Sequence, residues 1–305
     1  MIALKKYTLF IILIILITLF GILNPIFFSF ENLFNIVDQV SIIGIISLGI
    51  TLIIIVGGID LSVGSIVAFT GVCLALLLSN NYNFLSSILI CLFVGSFLGF
   101  INGLFISRFK VPAFITTLGM MSIVRGATLQ ITQGRSISNL PSGLSELINS
   151  SILNISFPVL LFFILYLSLW FVLNRTYWGK YLYATGSNEK AAWLSGINTT
   201  NYKTIVYIVS GVLCAISSII LVGKLNSAQP TAGNMYELNA IAAVVIGGAS
   251  LSGGKGTITG TLLGVLILGV LQNGFSILNI SPYYQQILLG IIVIFAVLSD
   301  NKSKL

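Results

Sequence analysis

Three charged side chains stand beside or within long apolar runs: Asp60, Arg125 and Glu237. A charge at the centre of a membrane helix costs roughly 2.5–3.5 kcal/mol on insertion scales, so each should face a cavity, a partner charge or an interface. Arg125 has a second reading, snorkelling to headgroups, because a polar stretch begins soon after it. Asp60 and Glu237 lie at the starts of apolar segments, where a carboxylate also serves as a helix N-terminal cap. Asn102, Asn239, Gln272 and Asn273 are uncharged polar residues in apolar surroundings. They either hydrogen-bond between helices or line a path for a polar solute.

Other chemistries find little support. Histidine is absent, and Cys73, Cys91 and Cys214 are scattered through apolar runs without a CxxC spacing. Neither a metal site, nor a disulfide framework, nor histidine acid–base catalysis is suggested. The run Gly248 to Gly256, GASLSGGKG, imitates a phosphate-binding loop. It fails the pattern GxxxxGK[ST], which would need glycine at Ala249 and Ser or Thr at Gly256. A tight turn with close packing of small residues fits it better. The chain therefore offers no ATP site of its own, and ATP-driven work would come from a partner.

The elements that must hold these residues are membrane spans. The composition is 57% hydrophobic and 7% charged, against about a quarter charged in soluble domains. The net charge of +7 sits in short gaps between apolar runs, where it reports orientation rather than nucleic-acid binding. Ten spans are expected, at about 7–23, 36–56, up to 78 for the third, 84–107, 112–132, 157–174, 204–222, 237–249, 257–275 and 283–298. Between the second and third lies a polar, glycine-rich break, Ile59-Asp60-Leu61-Ser62-Val63-Gly64-Ser65, which survives at membrane depth only when protein or a watery cavity covers it. The eighth segment is too short to cross a core of about 30 Å unless its ends are irregular. Ten spans place both termini in the cytoplasm with Lys5, Lys6, Arg108, Lys110, Arg175, Lys180, Lys190, Lys203, Lys255, Lys302 and Lys304, leaving Arg135 and Lys224 in outer loops.

Residues 175–203 form the longest polar interval, a cytoplasmic loop within a single transmembrane domain spanning 1–305. Ser187-Asn188-Glu189 can cap a short helix whose Ala191, Ala192, Leu194 and Ile197 recur at helical spacing, with Gly196 closing it. Such a helix is a docking surface, or else a solvated connector. Internal symmetry has two registers. The motif GGxxLSxG occurs at Gly57–Gly64 and again at Gly247–Gly254. The favoured register instead pairs Asp60-Leu61 with Glu237-Leu238, Gly71 with Gly248, Asn102-Gly103 with Asn273-Gly274, and Pro112 with Pro282. It shifts the chain by five spans and so makes the halves inverted copies, as in many transporters.

The strings GGIDLSVGSIVAFTG from Gly57, FITTLGMMSIVRG from Phe114, ATGSNEKAAWLSGI from Ala184, YELNAIAAVVIGGASLSGGKGT from Tyr236 and SPYYQQ from Ser281 resemble the permease subunit of ribose-type ABC importers. The likeness runs from about Ile36 to Lys302. It implies an all-α, polytopic protein of the bacterial inner membrane that carries a monosaccharide and is not itself an enzyme. It further implies a second permease subunit, a homodimer in the simplest case, and a cytoplasmic ATP-binding-cassette protein that holds ATP and magnesium. A periplasmic or lipid-anchored sugar-binding protein completes the set. Lys190-Ala191-Ala192 with Gly196 matches the family's EAA-x3-G pattern, with Lys in place of the leading acid. Contact with the ATPase would then fall on Gly186, Asn188, Glu189, Lys190, Ala191, Ala192 and Gly196. The path or interface would draw on Asp60, Ser62, Asn102, Arg125, Glu237, Asn239 and Asn273. Asn239 stands where many relatives carry an acid, which puts a carboxylate role there in doubt.

Overall fold

An apolar run in hydrocarbon must satisfy its own backbone, and the α-helix does so within one segment. In the computed structural model, which describes residues 2–152 and 155–302, every expected span is helical. The helices are α1 (Ile2–Leu23), α2 (Phe30–Ile55), α3 (Val63–Ser79), α4 (Phe84–Ser107), α5 (Ala113–Thr132) and α7 (Phe157–Arg175), followed by α10 (Thr199–Leu225), α11 (Tyr236–Ile246), α12 (Ile258–Ile277) and α13 (Pro282–Lys302). Among the described residues, six are long and apolar enough to cross a membrane by composition: α2, α4, α5, α7, α10 and α12. Residues Tyr7–Leu23, α3 and α11 are shorter apolar helices. The side chains of Lys5, Lys6, Lys302 and Lys304, used in the charge count, lie outside the described residues.

Three further helices do not belong to spans. The stretch expected to be a loop after α5 holds α6 (Ser142–Ile148) and the short strands β1 (Ile137–Ser138), β2 (Ser151–Ile152) and β3 (Ile155–Ser156). β1 pairs antiparallel with β4 (Ser227–Ala228), and β2 pairs with β3. The polar interval after α7 folds into α8 (Tyr177–Ser187) and α9 (Glu189–Leu194). The strands and α6 occupy one end of the bundle, α8 and α9 the other.

α2 and α10 form the centre, and both are largely buried. α4 packs on α10 through Gly95, Gly99 and Gly103, one glycine per turn. A Cβ at Gly99 would overlap Tyr207 O, one at Gly95 would come within 2.5 Å of Gly211 O, and one at Gly103 within 2.8 Å of Thr204 Cα. Small residues at this spacing bring two backbones together in a membrane, where lipid tails give helices little apolar reason to associate. Hydroxyls bridge α4 to α10, α3 to α10 and α2 to α12: Ser107 to Thr204 at 2.7 Å, Thr70 to Ser218 at 2.9 Å, and Thr51 to Thr261 at 2.6 Å.

The helix contacts fall into two groups along the line of the favoured repeat register. α3, α4 and α5 cluster together, as do α11, α12 and α13; α4 lies on α10 while α12 lies on α2. α1 and α7 break the match, since α1 packs on α12 and α7 chiefly on α2. So does one anchor: Gly71 lies inside α3, whereas Gly248 follows α11 in a turn with φ +89°. The two GGxxLSxG copies are turns that touch, for a Cβ on Gly253 would come within 2.9 Å of Gly57 Cα.

At the strand end, Lys224 is not a loop residue but occupies the last turn of α10. Its ammonium pairs with Asp38 of α2, and Ser156 donates to the other Asp38 oxygen at 2.6 Å. One carboxylate thus ties α2, α10 and the β2–β3 hairpin together.

The short eighth segment is resolved by irregular backbone. α11 has 11 residues, about 16 Å of helix, and begins only after residues 226–235 have turned back into the bundle. There Gly233 meets Gly64: a Cβ on Gly64 would overlap Gly233 O and lie 2.6 Å from Glu237 Oε2. The break after α2 and the loop before α11 are therefore packed against each other.

Candidate functional site

The break between α2 and α3 leaves backbone groups that no helix satisfies, and polar side chains complete them. Asp60, buried, accepts from Ser62 N at 2.8 Å and Ser62 Oγ at 2.6 Å, an Asx turn written into the Asp-Leu-Ser order. Asn102 of α4 donates to Ser62 Oγ at 2.9 Å. The carbonyl of Ile59 accepts from Tyr207 of α10 at 3.1 Å and from Thr117 of α5 at 3.4 Å. Asp60, Ser62 and Asn102 thus meet at one point, and among the described residues Asp60 forms no ion pair. Asn102 Oδ1 is buried without a partner.

Arg125 and Glu237 flank the loop that leads into α11. Arg125 does not snorkel: its Nη1 donates to Pro230 O at 2.6 Å and Ala232 O at 2.9 Å, pinning the loop before α11. It feels the charge of Glu237 without an ion pair within 4.0 Å. Glu237 is in the first turn of α11, facing Gly64. Asn239 stands apart, with Gln272, in a pocket between α11, α12 and α13.

Asn273 belongs to neither cluster. Its Nδ2 donates to Asn32 Oδ1 at 2.9 Å, Asn32 Nδ2 returns a bond at 3.0 Å, and Asn32 also reaches Phe27 O at 3.1 Å. This reciprocal pair locks α12 to the start of α2. Leaving one buried carboxamide unsatisfied costs more than removing both. Asn273→Leu is therefore expected to lower thermal stability in detergent by more than the Asn32→Leu, Asn273→Leu double variant does. An additive double variant would show that the pair is not coupled.

At the opposite end, the short helix forms as the sequence suggests. Asn188 Oδ1 caps α9 by accepting from Ala191 N at 2.9 Å. Gly196, φ +86°, ends it in a Schellman motif: Gly196 N donates to Trp193 O at 2.9 Å and Ile197 N to Ala192 O at 3.1 Å. Ala192 packs inward, while Lys190, Ala191, Trp193 and Leu194 are exposed, the last two at 64% and 69%. Glu189 clamps the helix to the bundle, pairing with Lys203 of α10 at 2.6 Å and Lys110 at 3.1 Å. Gly186, at the end of α8, touches both Ile55 and the turn after α11: Gly254 N donates to Ile55 O at 2.8 Å, and Tyr183 OH to Gly256 O at 2.7 Å.

Partial burial pushes the Glu189 carboxyl up, but hydrogen bonds and charge from Lys203 and Lys110 outweigh it and hold the group below its ordinary 4.5. A depressed carboxyl stabilises the fold fully above its unfolded value, and that increment is lost as pH falls through the folded value. Stability of the solubilised protein should thus decline between the ordinary carboxylate range and more acid pH. The pair with Lys110 is exposed and screened, so the decline is small, under about 1 kcal/mol. Glu189→Gln should flatten this part of the profile; an unchanged profile would remove the clamp from the account.

Six helices long and apolar enough to cross a membrane, unwound segments packed against each other and a capped helix exposed at one end describe a multi-pass membrane protein. The model of a family described as branched-chain amino acid transport system / permease component matches residues 32–297. The chain belongs to that family. It is 45% identical to the ribose import permease protein of Haemophilus influenzae, over 96% of this chain and 92% of that protein. The ribose import permease protein of Bacillus subtilis is 43% identical, over 95% and 91%. The fructose import permease protein of Rhizobium meliloti is 39% identical, over 95% and 84%. No solved structure matches. As a bacterial import permease it is a transport subunit of the inner membrane rather than an enzyme.

Sequence reasoning missed three features. The Gly95–Gly99–Gly103 stripe was readable as small-xxx-small spacing. The Glu189 clamp had one signal, a single acid among the bases of its loop. The Asp38 tie had none, because its partners lie 118 and 186 residues away.

Proposed function

We propose that this chain is the membrane subunit of an ATP-driven importer for a monosaccharide, with ribose the favoured solute. The observation that carries the reading is 43–45% identity to the ribose import permeases of Haemophilus influenzae and Bacillus subtilis over nearly the whole chain, above the 39% and 37% to fructose and D-allose permeases. Ten spans with both termini in the cytoplasm put α8, α9, Lys110, Lys203 and Lys255 inside and the strand end outside, in keeping with the positive-inside rule. α9 is then the docking helix for a cytoplasmic ATPase that binds ATP and magnesium. The strand end receives the sugar-binding protein, and two permease subunits enclose the path.

In this mechanism the ATPase pushes on Trp193 and Leu194, and α8 carries the displacement to Gly186. There it meets the end of α2 and the turn at Gly253, directly before the break held by Asp60, Ser62 and Asn102. The chain itself needs only two arrangements that its docked partners bias in opposite directions. Inverted repeats packed as α2–α5 against α10–α13 suit such alternation.

The test is uptake by proteoliposomes holding permease, ATPase and binding protein, comparing enclosed ATP with an imposed ion gradient. ATP-dependent, binding-protein-dependent uptake of ribose is expected. Uptake that follows the gradient and ignores ATP would replace the importer with a secondary carrier. Labelling of Asn188→Cys only by impermeant reagent added outside the cell would reverse the orientation.

A further inference from the structure

The pocket between α11, α12 and α13 has a volume of about 230 Å³, and its polar lining consists of carboxamides: Asn234, Asn239, Gln272, Gln285 and Gln286. No charged residue lines it. Of these five only Gln285 has a side-chain hydrogen bond to the described residues, a long one of 3.5 Å to Ile280 O. Asn239 Oδ1 is sealed from solvent and has no partner. Asn234, Gln272 and Gln286 are exposed in the single subunit and Asn239 and Gln285 half-buried, so the pocket opens at the surface of the bundle, and acyl chains lying against its mouth would leave these amides without partners. They call for contents that both donate and accept hydrogen bonds.

Each carboxamide offers two donors and one acceptor oxygen, which suits vicinal hydroxyls. The absence of fixed charge from the lining leaves an ionic solute without a counter-charge. Phe275, also in the wall, supplies an apolar face for the C–H side of a sugar ring. The volume equals roughly seven water molecules, enough for one small solute. Arg125 holds the wall in place, since the loop it pins at Pro230 and Ala232 continues directly into Asn234.

We propose that this pocket is a transit site for one neutral polyhydroxylated solute of monosaccharide size. The proposal rests on the importer reading and names where, within this chain, the cargo is held. Neutral hydrogen bonds of modest net strength make the site weak, as a site on a transport path must be if it is to release.

The experiment uses the complete transporter in proteoliposomes with radiolabelled D-ribose, measuring uptake and binding-protein-stimulated ATP hydrolysis together. Gln272→Leu combined with Gln286→Leu is expected to lower sugar taken up per ATP hydrolysed about tenfold, with stimulated hydrolysis within twofold of the unaltered protein. In parallel, labelling of Gln285→Cys by a thiol reagent should be slowed by D-ribose at tens of millimolar and not by sodium chloride at matched osmolarity. Unchanged uptake per ATP, or labelling indifferent to ribose, would overturn the proposal. Loss of the subunit dimer in the double variant would also overturn it, making the pocket an interface between copies. If the double variant fails to insert, the labelling decides. If the unaltered transporter shows no ATP-driven uptake, the importer reading fails instead, and ribose protection of Gln285→Cys still tests the pocket.

Discussion

Gly186→Ala is expected to disconnect the α8–α9 unit from the bundle and reduce both ribose uptake and stimulated ATP hydrolysis tenfold or more. Helix propensity predicts the opposite sign, because replacing glycine by alanine inside a helix usually stabilises it by roughly 0.5–1 kcal/mol. Here the new Cβ would overlap the Ile55 carbonyl oxygen and come within 2.7 Å of Gly254 N. Those two atoms are joined by a 2.8 Å hydrogen bond, so the methyl group drives a wedge into it. Both neighbours are backbone and cannot rotate away, and overpacking of this kind costs typically 1–3 kcal/mol. A lost backbone hydrogen bond adds about 1 kcal/mol. Immunoblotting of membranes should show near-normal insertion, since no apolar span is altered. Normal uptake with the alanine in place would remove Gly186 from the proposed path between an ATPase and the bundle.

Asp60→Leu is expected to lower uptake at least tenfold and the melting temperature by several degrees, while Asp60→Asn stays within about threefold of the unaltered protein. In the structure Asp60 acts as an acceptor: one oxygen takes both Ser62 bonds, at 2.8 and 2.6 Å. Leucine leaves a buried N–H and a buried hydroxyl unsatisfied, each worth about 1–3 kcal/mol, and lets go of the group that Asn102 holds. Asparagine keeps an acceptor oxygen at the same place and can rebuild the Asx turn. If asparagine proves as damaging as leucine, the negative charge itself matters, and Asp60 acts on the solute path rather than on the backbone of the break.

These two positions differ in how far the sequence announces them. Asp60 was legible as a polar break between apolar runs, and its Asx turn follows from Asp-Leu-Ser alone. That Asn102 and Tyr207 close around it was not legible, since they come from α4 and α10, and nothing local ties residue 60 to 102 or 207. Gly186 lay in a recognisable motif, yet the reason it must be glycine is the distant carbonyl of Ile55. Asn273 was paired with Asn102 by sequence, yet their contacts differ: Asn102 supports the break through Ser62, whereas Asn273 joins α12 to α2 through Asn32. α8 escaped notice because a helix that lies outside the membrane needs no long apolar run to form.

By itself the sequence determined what depends on runs and neighbours. The apolar segments had to be helices because hydrocarbon leaves their amides no other partner. The Asn188 cap and the Gly196 stop had to bound a short helix, because their chemistry acts within four residues. Only the tertiary structure decided that residues 226–235 turn back to meet Gly64, that the glycine turns at Gly57 and Gly253 converge on the end of α8 at Gly186, and that carboxamides from α11, α12 and α13 share one pocket. Those are contacts between segments far apart in the chain. Helices with little polar character leave few local marks of their partners, so close backbone packing, which no single segment encodes, makes the choice.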